Sequence, residues 1–342
     1  MLINTLIATL AVAGAQDAPV ILERKFTAGE RLVYQFNTKT YSDDRDYTFD
    51  MFLPSTEEYS YTATTDVLEV KPSGMVVCRW VVTNGLYIQG ENSNRDEVRT
   101  KDKEGADFRI EVSFINDILD MRDNRPPKPE KKPAPSQADW MRVLTNAAVQ
   151  PSLDQWVGQY VAPIKQLSAF VGGPISGLDF APKLPLDEVK VGDTWKKTVG
   201  FSPQKLRNDK DKKMAVTRLD YTYTYRGMVE QNGKKFVKIT SSCILKTDVN
   251  DFLGQLMGGA DDSPMSKAPL NWEAKVEYLL DPNTLHTVSV DASSEGKFEM
   301  WVKEIKEQAY SESVLKSKAS YRLVSQGKTP KTDTKSASKS KP

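Results

Sequence analysis

Strand-and-turn patterns come round twice along this chain, in the same order, and few folds accommodate that. Gly29-Glu30-Arg31-Leu32, preceded by the aromatic Phe26, opens one run; Gly192-Asp193-Thr194-Trp195 opens the other. A Tyr-rich alternating segment follows each opening. Tyr59, Tyr61 and Ala63 share one face in the first, and Leu219, Tyr221, Tyr223 and Tyr225 share one in the second. Each then meets a Gly-centred turn, Ser73-Gly74 or Asn232-Gly233, and returns as an apolar strand. Small turns of this kind between alternating runs are hairpin signals. Two further matches keep the order: Ile115 to Leu119 with Val249 to Leu253, and Val149 to Asp154 with Val276 to Asp281. The pattern predicts a mainly β fold, α+β with minor helix, made of two pseudo-repeated halves of curved antiparallel sheet.

The halves are expected at residues 16–183 and 184–326. The separation between matched markers shrinks along the chain, which places an insertion in the first half, within Asn84 to Arg109. Residues 125–135 are rich in Pro and Lys and read as an extended linker. Short helices are expected at Asp139 to Ala148 and Ile164 to Val171, while Glu304 to Lys318 is ambiguous between helix and strand. From Gly327 to Pro342, Lys, Thr and Ser dominate, and such a tail buries too little to order itself. Met1 to Ala15 carries no charge and ends in the small residues Ala13-Gly14-Ala15, as a cleavable signal peptide does, although no basic residue precedes its apolar core. Export follows as an expectation, to periplasm, cell surface or beyond, with no transmembrane span in the mature chain.

Chemistry is sparse. Lys and Arg number 47 against 46 acidic residues, so no global field points to specific nucleic-acid binding. His286 is the only histidine, which removes His-rich zinc sites and leaves any Ser-His-Asp arrangement without a motif. It reads as a strand histidine with a satisfied ring. Ser-x-x-Lys recurs at Ser202, Ser313 and Ser336 without its companion motifs, and no phosphate-binding Gly-rich loop is present. The carboxylates Asp43-Asp44-Arg45-Asp46 and Asp261-Asp262 lack EF-hand spacing, although oxygen-rich loops permit calcium. Asp154 and Asp281 read as turn formers that bond their own backbone. No cofactor, metal or catalytic residue is assigned.

Cys78 and Cys243 form no Cys-x-x-Cys pair. Strand parity sets Cys78 with Val76, Trp80 and Val82, and Cys243 with Val237, Ile239 and Leu245. They are either two buried thiols or one disulfide between the halves; an exported location permits both.

In Val191-Gly192-Asp193-Thr194-Trp195 the glycine allows a positive φ, the aspartate bonds the turn, and Trp195 enters the next strand as an apolar anchor. Together with Phe26-Thr27-Ala28-Gly29-Glu30, the segment from Leu184-Pro185 through Val189-Lys190 to Trp195 resembles a widespread group of exported bacterial proteins of unknown function. The resemblance implies a secreted β-rich fold and brings no activity. The linker at 125–135 and the basic tail depart from that group.

The functional expectation is a non-catalytic exported envelope protein with a binding or scaffold role, its partner an apolar small molecule held between the halves, or an envelope component. Two alternatives stand beside it: a carboxylate-based hydrolase, and a cell-surface interaction protein using the basic tail.

Overall fold

A computed structural model describes residues 18–47, 51–90, 96–99, 107–124, 181–201, 217–250 and 265–329 of the 342. The leader at 1–15, the linker at 125–135, both expected helices, Asp154 and Asp261-Asp262 lie outside them. The described chain is strand almost throughout. Its elements are β1 (Glu30–Asp46), β2 (Met51–Val70), β3 (Val76–Gln89), β4 (Asp96–Arg99), β5 (Asp107–Val112) and β6 (Ile118–Asp123), then β7 (Thr194–Phe201), β8 (Thr217–Gln231), β9 (Lys234–Asp248), β10 (Met265–Lys267), β11 (Pro269–Leu280), β12 (Thr287–Val302) and β13 (Ser311–Lys328).

Eleven of these strands form one antiparallel path, β6-β5-β3-β2-β1-β13-β12-β11-β9-β8-β7, with β4 hung on β3 and β10 on β12. Each half is a meander, and β13 closes the seam by pairing β12 on one side and β1 on the other. β4 falls within the stretch from Asn84 to Arg109 where the spacing calls for an insertion.

Alternation decides which side is inside. On β1, Tyr34, Phe36, Thr38, Thr40 and Ser42 are buried, while Asn37, Lys39 and Tyr41 are exposed. Register carries that parity across the sheet: Phe36 stands opposite Tyr61 and Tyr321, Tyr321 opposite Val290, Val290 opposite Tyr278, and Tyr278 opposite Ile239. The Tyr face expected on β8 is likewise buried from Leu219 to Tyr225. One apolar cluster runs through strands of both halves, which is what a sheet with one covered face requires.

The tight turns gather at one end of the strands. Asn232 and Gly233, at φ 52° and 72°, make the β8–β9 hairpin, the paired positive φ that suits a two-residue loop. Gly192 sits at φ 95° before β7 and Asp193 Oδ2 accepts from Lys190 N at 2.8 Å, so this run is a structural turn as expected. Bulges at Val33/Tyr34, Val67/Glu69, Glu111/Val112, Tyr225/Gly227 and Leu279/Leu280 lie toward the same end. Bulges add local twist. The chain enters β1 and β7 here, and these two lead segments pair with each other through Val20 and Val189.

Two expectations need correction, and two open alternatives are decided. The match of Ile115–Leu119 with Val249–Leu253 does not survive: the first runs from the β5–β6 turn into β6, whereas Val249 follows β9. In meander order the β5–β6 turn corresponds to the β11–β12 turn, where the similarity of residues is too slight to see. Gly327 and Lys328 do not belong to a disordered tail but extend β13, opposite Arg31 and Glu30. Backbone ladder bonds need no apolar side chain, so composition misplaces the boundary. The ambiguous segment resolves as a turn followed by strand from Ser311. Finally, Cys78 and Cys243 are both free and buried, in two different apolar clusters. Five strands separate β3 from β9 in the sheet, about 29 Å along it at ~4.8 Å per strand. Neither sulfur is in a disulfide, and burial pushes the Cys243 thiol up to about 12. Native protein should therefore resist thiol alkylation at both positions, with two thiols titrating after denaturation; one thiol fewer in the denatured count would contradict the structure.

Candidate functional site

The polar parity of the strands builds the main candidate. A trough of about 1060 Å³ runs across that face, lined by residues of β1, β2, β3, β8, β9, β11, β12 and β13. It is contributed by both halves. A second groove of about 530 Å³ continues from it, sharing Lys39, Lys275, Ser293 and Lys318. The arrangement follows from register. Along one row Asn37, Ser320, Asp291, Glu277, Thr240 and Thr224 stand opposite one another on successive strands. Along the next row come Lys39, Lys318, Ser293, Lys275, Ser242 and Thr222. Hydroxyls and ammonium groups thus make the floor, and Leu86 and Ile88 of β3 make an apolar flank.

Most charges on this floor are matched. Lys39 Nζ lies 3.1 Å from Glu58 Oε1, Lys275 Nζ 2.8 Å from Glu273 Oε1, and Lys238 Nζ 2.7 Å from Glu277 Oε2. Arg322 pairs with Asp291. These pairs are solvent-facing and contribute little stability. Lys318 differs: it stands opposite Lys39 in the ladder, and among the described residues no ion pair holds it.

The second candidate is a buried polar node at the turn-rich end, and it contains the lone histidine. Arg24, on the lead segment to β1, is 3% exposed. Its Nε donates to His286 Nδ1 at 3.3 Å and its Nη1 to Asn116 Oδ1 at 3.2 Å. Since a guanidinium can only donate, Nδ1 accepts, and the imidazole proton sits on Nε2, which donates to Glu30 Oε2 at 3.1 Å. Arg24 also lies over the Phe26 ring at 4.5 Å, and Phe26 packs on His286. Asn116 Nδ2 donates to the Pro182 carbonyl at 2.7 Å, and Lys183 Nζ to the Asn116 carbonyl. Burial lowers the Lys183 pKa, with Asp117 opposing that shift.

His286 therefore has a satisfied ring, as expected, although it precedes β12 rather than lying inside a strand. Every member of the node is held by another, which is the arrangement of a structural clasp rather than a reactive centre. Asp281 is the turn former read from sequence: its Oδ1 accepts from Asn283 N and Thr284 N, both at 2.9 Å. Asp43 to Asp46 lie in β1 instead of a loop, and among the described residues no acidic or sulfur cluster has metal-binding geometry. Ser313 and Lys316 fall on opposite faces of β13, so their motif is coincidental. No helix among the described residues is long and apolar enough to cross a membrane.

Sequence reasoning missed the trough because every residue in it looks like ordinary strand exterior. The available signal was a short run of hydroxyls at the exposed parity of two neighbouring strands, Thr222 and Thr224 on β8 with Thr240 and Ser242 on β9. No family model matches the chain, and no curated protein matches it. Among solved structures it is similar to lipovitellin, in a structure concerned with lipid–protein interactions, at 12% identity and a TM-score of 0.41. That likeness covers 92% of this chain and 27% of the lipovitellin chain; a match of this strength carries no functional argument.

Proposed function

We propose that this chain is a non-catalytic, exported binding protein of the envelope, and that it holds one amphipathic molecule in the trough its two halves share. The observation behind this reading is the trough itself. Its volume, about 1060 Å³, lies just above the usual range for ligand sites, about 300–1,000 Å³. The expected apolar ligand is refined by the lining. Leu86, Ile88 and the lysine stems receive an apolar portion, while the hydroxyls of Ser293, Ser242 and Thr240 call for polar atoms on the same molecule. Export, and membership of the exported group that the mid-chain segment resembles, belong to the same proposal.

Ser293→Trp tests it. Ser293 is exposed on β12, a strand accepts an aromatic side chain, and the indole would fill the junction of the two grooves. Native mass spectrometry of protein purified from its own host is expected to show a bound small molecule on the parent chain and its loss from Ser293→Trp. Unliganded parent chain in every preparation, together with no binding of short-chain phospholipid, would sink the reading.

The hydrolase alternative has one observation in its favour. Glu277 and Asp291 stand directly opposite each other on β11 and β12 inside the trough. Each is also tied to its own cation, which suits a fixed carboxylate better than a proton donor. Recovery of chemically unchanged ligand after long incubation separates binding from hydrolysis.

A further inference from the structure

We infer that the centre of the trough floor is a subsite for the anionic headgroup of the bound molecule, with Lys318 as its principal contact; this rests on the binding reading above. Three observations converge on it. Lys39 and Lys318 are direct cross-strand neighbours on the same exposed parity, an opposition of like charges that weakens a strand pair. Lys39 has relief from Glu58 on its other side, at 3.1 Å. Among the described residues Lys318 has none, and its other neighbour across the ladder is Ser293.

The remaining charges of the floor do not supply the missing partner. Glu273 is engaged by Lys275, Glu277 by Lys238 and Asp291 by Arg322. Glu295 stands opposite Lys316 in the register. Arg226, toward the rim, donates to Thr240 Oγ1 at 3.0 Å. Lys318 is thus a surplus positive charge at the junction of the two grooves, flanked by the hydroxyl groups of Ser293 and Ser320. An ammonium with neighbouring hydroxyl donors is the chemistry that holds a phosphate or carboxylate oxygen. A ligand anion placed there also relieves the repulsion between the two lysines, so binding and sheet stability act in the same direction.

The test uses the full chain and calorimetric titration with three probes: dioctanoyl-phosphatidylglycerol below its micelle concentration, dioctanoyl-phosphatidylcholine, and inorganic phosphate. The anionic lipid is expected to bind about tenfold tighter than the zwitterionic one, the size of one charge-assisted contact. That preference should shrink at high salt, vanish in Lys318→Gln and survive in Lys318→Arg. Equal binding of both lipids to parent and variant overturns the anion subsite and leaves the binding reading standing. Binding of neither lipid removes both. Tight binding of inorganic phosphate alone would assign the site to a free anion and overturn the headgroup. As a fold control, unliganded Lys318→Gln should melt no lower than the parent; a lower midpoint would contradict the surplus-charge argument.

Discussion

Arg24→Met is expected to destabilise the folded chain by about 3–5 kcal/mol, the cost of removing one partner from a buried charged network. Methionine preserves much of the stem volume, so the loss isolates the guanidinium. Without it, Asn116 Oδ1 and His286 Nδ1 lose the donors that now lie 3.2 and 3.3 Å away. Both acceptors belong to residues at most 2% exposed, where an unpaired polar atom is costly. The clasp also carries topology. Arg24 N donates to the Phe114 carbonyl and Lys25 N to the Thr284 carbonyl, so one short segment is bonded to the β5–β6 and the β11–β12 turns. Those turns belong to opposite flanks of the sheet. Arg24→Lys should recover part of the loss, since an ammonium reaches one acceptor but lacks the fork. For scale, Arg31→Met removes a two-point contact to Asp66 at 2.6 and 2.7 Å; its guanidinium is about a third exposed, so a cost of about 1 kcal/mol is expected. Urea titrations of the three variants decide the matter. A loss for Arg24→Met no larger than that for Arg31→Met would refute the clasp.

What could be read in the sequence, and what could not, divides along contact distance. Alternation is local, so the buried parity of β2, β3, β8 and β9 was legible, as were the Asn232-Gly233 hairpin and the turn at Gly192. Pairings between distant strands leave no local trace. Nothing in Glu30 to Asp46 announces that its neighbour is Ser311 to Lys328, because any strand of matching parity would serve. The node failed to appear for the same reason: Arg24, Asn116 and His286 are ordinary residues until the lead segment to β1 and two distant turns come together. The cysteines show a subtler limit. Parity correctly turned both sulfurs toward apolar surroundings, yet a shared face on a wide sheet does not imply proximity. The trough was hidden by its polarity, since exposed Ser, Thr and Lys are what any solvent-facing strand displays.

Phe36→Ala is expected to cost about 3–5 kcal/mol, and its wider consequence concerns how the two halves unfold. Phe36 is fully buried at the seam. Its ring stacks on Tyr61 of β2 at 4.6 Å and meets Tyr321 of β13 at 6.5 Å, and Tyr321 in turn stacks on Tyr34 at 4.6 Å. Three of these aromatics come from the first half and one from the second. Truncation to Ala therefore opens a cavity on the boundary, bordered by rings whose own packing depends on it. Two independent domains would confine such damage to one of them and would melt in two steps. Here β13 completes the ladder of β1, and one apolar cluster includes Tyr34 and Phe36 together with Tyr223, Ile239 and Trp272. The expected result is one calorimetric transition for the parent chain and one transition at lower temperature for Phe36→Ala, with both flanks losing structure together. A resolved second transition that stays at the parent temperature in Phe36→Ala would show instead that the flank from β7 to β12 stands without the seam.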